Sequence, residues 1–89
     1  MKPGALTAER RATHGDWKTT ARAANRLKLA LRESLVESAQ PTKLNAQQLE
    51  ALDMILGKIA RIVSGDPNHP DHWDDIAGYA LLGRGGEAP

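Results

Sequence analysis

The chain contains no cysteine, which excludes a disulfide framework and a thiolate zinc site and fits a reducing compartment. It has no phenylalanine, one tyrosine and two tryptophans. A core so poor in rings has to use Leu, Ile, Val, Ala and Met, a palette that fills helical interfaces well and strand sandwiches poorly. No apolar run approaches the roughly 18 residues of a membrane span, and the start lacks the apolar segment of a signal peptide. The expectation is a soluble cytoplasmic protein with no membrane partner. A large charge of one sign is missing too: twelve basic and eleven acidic side chains leave +1, which offers no bulk attraction to nucleic acid. Glycine-rich phosphate loops, a nucleophile elbow and a Ser/His/Asp order are also absent.

What is present is apolar periodicity at helical spacing. Eighty-nine residues make one small domain, short enough that association of copies is the expected route to stability. The class is all-α: a short N-terminal helix, two long antiparallel helices and a C-terminal helix, completed by oligomerisation. Residues 1–6 read as a flexible arm, 7–83 as a single helical domain and 84–89 as a flexible tail. Thr7 suits the cap of a helix over Ala8 to Thr13, which His14-Gly15-Asp16 breaks. Asp16 then suits the cap of a long helix from Trp17 to Ser38, with Ala21, Ala24, Leu27, Leu31 and Leu35 as its apolar stripe. Pro41 closes that helix.

Asn45 and Gln48 form a capping-box pattern at the start of the next helix. Leu49, Leu52, Ile55, Leu56, Ile59, Ile62 and Val63 give it so broad an apolar band that it should be the central helix, touched on two sides. Ser64 to Pro70 is a turn, with Gly65 free to take positive φ. Pro70 and Asp71 suit the first turn of a last helix, which carries Trp73, Ile76, Ala77, Ala80 and Leu81 inward and ends near Gly83. Both Trp17 and Trp73 read as core anchors in preference to stacking platforms.

Charge is unevenly distributed. Lys18, Arg22, Arg26, Lys28 and Arg32 load the first half, whereas Asp66, Asp71, Asp74, Asp75 and Glu87 make the last part acidic, so the two halves could face each other. Lys58 and Arg61 emerge from neighbouring positions near the end of the central helix. Two readings fit them: ion pairs with Asp71 or Asp75 across the turn, or a clamp on phosphate, with Arg61 as planar fork and Lys58 as point charge. Asp71 and Asp75 lie one turn apart with Tyr79 a turn beyond. Their carboxylates are balanced either by those cations or by a hard divalent ion such as Mg²⁺. Glu50 and Asp53 form a further i, i+3 pair that, with Asp75, makes a candidate metal set. His14, His69 and His72 do not show zinc spacing.

These motifs carry a resemblance. Glu50-Ala51-Leu52-Asp53-Met54-Ile55, Lys58-Ile59-Ala60-Arg61-Ile62, Ser64-Gly65-Asp66-Pro67 and Asp71-His72-Trp73-Asp74-Asp75-Ile76-Ala77-Gly78-Tyr79-Ala80, with Arg10-x-x-x-His14-Gly15-Asp16-Trp17 upstream, resemble a small helical domain of unknown function found in phage and prophage proteins. The plan is similar to that of phage proteins linked to nucleotide modification and, more distantly, to all-α nucleoside triphosphate pyrophosphatases. Those enzymes hold Mg²⁺ with paired carboxylates on two helices. This chain has Glu50-x-x-Asp53, but only Glu33 and Glu37, four apart, on the preceding helix. The resemblance implies an accessory protein in a bacterial host that binds a nucleotide without cleaving it, at Arg10, His14, Asp16, Lys58, Arg61, Asp71, Asp75 and Tyr79. A Mg²⁺-dependent pyrophosphohydrolase and a protein inhibitor of a host enzyme or defence complex are the alternatives. Direct reading of DNA fits less well, because the central helix is too apolar to lie in a groove.

Overall fold

The computed structural model describes residues 15–38 and 43–86, and three helices account for most of them. The expected helix over 8–13, the arm at 1–6, the end of the tail, the Pro41 turn, Arg10, His14 and Glu87 lie outside the described residues. Helix α1 spans Trp17–Glu37, α2 spans Ala46–Ser64 and α3 spans Pro70–Arg84. The all-α class is as expected from the apolar palette, and no described helix is long and apolar enough to cross a membrane.

The first two helices start where a side chain caps their first amides. The Asp16 carboxylate accepts from the Thr19 amide and hydroxyl, each at 3.4 Å. The Gln48 amide donates to Asn45 Oδ1 at 2.7 Å while the Asn45 amide donates to Gln48 Oε1 at 3.0 Å, a complete capping box. Helix α3 opens on Pro70, whose missing N–H is no loss in a first turn, and Asp71 meets the positive end of the helix. Its end lies one residue beyond the expected Gly83, because Gly85 takes φ 96° and closes the last carbonyls. Gly65, expected to be free for that role on α2, has φ −122° instead.

Helix α2 is the middle of the molecule, flanked by both other helices, which do not touch each other. Thr20 meets Ser64 and Arg32 meets Asp53, so α1 and α2 run antiparallel. Lys58 meets Asp75 and Gln47 donates to the Leu82 carbonyl, so α2 and α3 are antiparallel as well. The basic first half and the acidic last helix therefore do not face each other. Helix α2 stands between them, and Arg32 of the basic helix pairs with Asp53 on α2.

The α1 stripe of Ala21, Ala24, Leu27, Leu31 and Leu35 turns toward α2 and is half-buried throughout. On α3 the expected Ile76 and Leu81 are half-buried, but the rest of the inward ridge differs from expectation. His72 is 1% exposed and continues through half-buried Ile76, Tyr79 and Gly83, whereas Trp73, Ala77 and Ala80 are exposed. Gly83 lies so close to Ala51 that a β-carbon there would stand 3.0 Å from the alanine methyl. Small residues at this crossing let α3 approach α2. Neither tryptophan is a core anchor: Trp17 is 71% and Trp73 55% exposed. Trp73 is held by its indole N–H, which donates to the Pro67 carbonyl at 2.8 Å and ties α3 to the preceding turn.

Candidate functional site

The polar side of α2 carries Glu50, Asp53, Gly57 and Arg61, and it opens on a cleft of about 150 Å³ between α1 and α2. Trp17, Thr20, Ala24 and Lys28 line it from α1, and Asp53, Met54, Gly57 and Arg61 from α2. Gly57 forms an empty stretch of floor, since a β-carbon there would meet nothing within 4 Å. The exposed ring of Trp17 stands at one end.

The electrostatics of this cleft follow from its pairing. Asp53 accepts a two-pronged contact from the Arg32 guanidinium, Nη1 to Oδ1 at 2.9 Å and Nη2 to Oδ2 at 2.8 Å. That contact holds the Asp53 carboxyl below its ordinary value, with partial burial opposing it and Lys28 adding to it. Asp53 is thus neutralised by a residue outside the cleft. Arg61 and Lys28 have no carboxylate within ion-pair distance among the described residues. The cleft therefore holds two cations over one already compensated anion.

The Gly-Asp turn is anchored at the same end. Gly15 has φ 83°, a conformation that glycine adopts without strain, and lies directly on the Ser64 carbonyl. The Thr20 and Ser64 hydroxyls are 2.7 Å apart, and Ser64 Oγ donates to the Ala60 carbonyl at 2.6 Å. Thr20 is only 4% exposed. These contacts fix the start of α1 against the last turn of α2, one turn from Arg61.

The structure divides the sequence candidates. Lys58 and Asp75 do meet, at 2.8 Å across α2 and α3. The Lys58 ammonium holds the Asp75 carboxyl below its ordinary value, and His72 and Arg61 lower it further. Asp71 pairs instead with His69 Nε2 at 3.5 Å, whose ring lies edge-on to His72 at 4.9 Å between centroids. Tyr79 lines apolar grooves between α2 and α3, away from Arg61. Asp16 serves as the cap of α1. Glu50, Asp53 and Asp75 do not gather: Asp53 turns to α1 and Asp75 to Lys58, and no group of three His, Asp or Glu able to hold a metal occurs among the described residues.

Thr20 and Gly57 were not legible as site residues, and for Lys28 and Trp17 the phosphate-directed and stacking readings were the lesser alternatives. A basic face holding Lys18, Arg22, Arg26 and Lys28 reads from sequence as solvated or as directed at phosphate, and only the cleft against α2 singles out Lys28. A glycine in the middle of an apolar helix was the one available hint, since it costs helix stability without an obvious local role.

No curated protein and no solved structure matches the chain. A family model does, over residues 4–86, which include the Gly-Asp turn and all three helices. The chain belongs to the family described as Domain of unknown function (DUF6378).

Proposed function

We propose that the protein binds a phosphate-bearing small molecule, a nucleotide, in the cleft between α1 and α2. The observation that supports this reading is a pair of cations, Lys28 and Arg61, that form no direct ion pair among the described residues and line one small cleft with an exposed indole at its edge. Arg61 supplies a planar fork that matches a phosphate edge, and Lys28 supplies a point charge. A cleft of about 150 Å³ is below the roughly 300 Å³ at which pockets begin to enclose whole drug-sized ligands. It suits a phosphate group, with a base outside it against Trp17. Arg61, already a candidate from the sequence, stays in the site, joined by Lys28 and Trp17. Lys58, Asp75 and Asp16 support it from the surrounding contacts. The motif resemblance adds the setting, an accessory protein of phage or prophage acting in the bacterial cytoplasm.

Thermal shift and calorimetry with nucleosides, nucleoside mono-, di- and triphosphates and pyrophosphate, each with and without Mg²⁺, test the reading. Nucleotides should raise the melting temperature and nucleosides should not. At a hundredfold excess over Kd the stabilisation is about 2.7 kcal/mol. Arg61→Ala should remove the response, and Trp17→Ala should weaken nucleotides while leaving pyrophosphate unchanged. A wild-type chain that responds to none of these ligands sinks the proposal.

A further inference from the structure

With α1 on one flank of α2 and α3 on the other, two faces of the middle helix remain. One is the polar cleft side. The other carries Leu52, Ile55, Leu56, Ile59 and Val63, a stripe over three turns in which no side chain has a polar atom. Val63 is 73% exposed and the other four are half-buried. The stripe stands as a ridge between two grooves. The groove toward α1, about 340 Å³, is walled by Leu27 and Leu31, and that toward α3, about 310 Å³, by Tyr79 and Ala80. Leu52 and Ile55 border both. Although 26% of the chain is charged, no charged residue lines either groove.

We infer that this face is where a second copy of the chain docks, α2 against α2 about a two-fold axis near Ile59. Three features select a copy of itself over another partner. First, a two-fold rotation near Ile59 sets Val63 of each copy against Ile55 of the other, beside the grooves that Leu52 and Ile55 border, so that apolar surface meets apolar surface in both copies. Second, the face carries no charge by which a basic or acidic partner would recognise it. Third, the described residues do not close a core among themselves. Among the described apolar residues only Ala51 and Ala60 are fully buried, and every described Leu, Ile and Val keeps part of its surface. Domains bury their apolar faces between two layers, and a second copy supplies the missing layer. Three adjacent helices of 15 to 21 residues offer a face on the order of 800 Å², the share each partner contributes to a standard interface.

Light scattering and sedimentation equilibrium on the full chain test this. The wild type should show twice its 9.6 kDa mass at tens of micromolar and above. Val63→Lys, at a position exposed in the single chain, should retain its helical circular dichroism and weaken dimerisation about tenfold or more, because it places an unpaired charge in the interface. Ile59→Cys, in a chain with no other cysteine, should oxidise to a disulfide-linked pair far faster than Arg22→Cys on exposed α1 surface. A mass of one chain at every concentration overturns the inference, whatever else covers the stripe. A dimer that survives Val63→Lys unchanged and leaves Ile59→Cys unlinked overturns it as well.

Discussion

Position 15 shows how little freedom some residues have. Gly15 combines a positive φ with direct contact on the Ser64 carbonyl, so alanine there meets both backbone strain and overlap. Gly15→Ala should lower unfolding stability by about 2 kcal/mol or more, measured by urea denaturation, whereas Gly57→Ala, with open space around it, should stabilise α2 by up to about 1 kcal/mol. The same Gly57→Ala change narrows the cleft, so weaker nucleotide binding in a more stable protein would separate the site from the fold. The paired carboxylates predict a pH response. Asp53 and Asp75 both have folded values below the ordinary carboxylate value, lowered chiefly by Arg32 and Lys58. Their contribution is present above the unfolded carboxylate value and is lost as pH falls through the lowered folded values. Urea midpoints should therefore drop below about pH 4, and Asp53→Asn with Asp75→Asn should flatten that slope. The caps were legible at this scale, because Asp16 and the Asn45/Gln48 box act within four residues. The Arg32–Asp53 contact joins residues 21 apart and depends on how two helices are registered, which no local pattern encodes.

At the scale of the element, α2 behaves as its apolar band implied, central and contacted on two flanks. Its capping box predicts that Asn45→Ala lowers stability by about 1 kcal/mol, read as a shift in denaturation midpoint without change of slope. Helix α3 was harder to orient. Trp73, Ile76, Ala77, Ala80 and Leu81 suggest the inward set; Ile76 and Leu81 are half-buried, yet the ridge that packs runs through His72, Ile76, Tyr79 and Gly83. The reason is steric and polar. Gly83 permits close approach to Ala51, Lys58 draws Asp75 toward α2, and the Trp73 indole is engaged by the Pro67 carbonyl outside the core. Hydrophobicity alone does not weigh such contacts. Lys58 and Arg61, three residues apart, illustrate the same limit. Adjacent positions on a helix that has a neighbour on each side serve different neighbours: Lys58 serves α3, and Arg61 serves the α1 cleft.

In the whole molecule, the two remaining faces of α2 differ in chemistry, and the two proposals assign them different tasks. The polar side presents Arg61 to the cleft that Lys28 and Trp17 of α1 also line, and the apolar side presents Leu52, Ile59 and Val63. Docking of a copy on the apolar side leaves the cleft open, and no residue of the stripe lines that cleft. Nucleotide affinity should therefore be the same in the monomer and the dimer. Calorimetry with one nucleoside diphosphate on the wild type and on Val63→Lys should give Kd values within a factor of about two, since position 63 projects from the helix away from the cleft and does not line it. The converse experiment probes the charge. Because the affinity rests on two cations in a solvent-open cleft, raising salt from about 50 to 500 mM should weaken nucleotide binding several-fold. The same salt should leave an uncharged dimer interface unaffected or tightened. A salt response shared by both equilibria, or a Kd that follows protein association, would show that the two faces are not independent and that the ligand bridges copies of the chain.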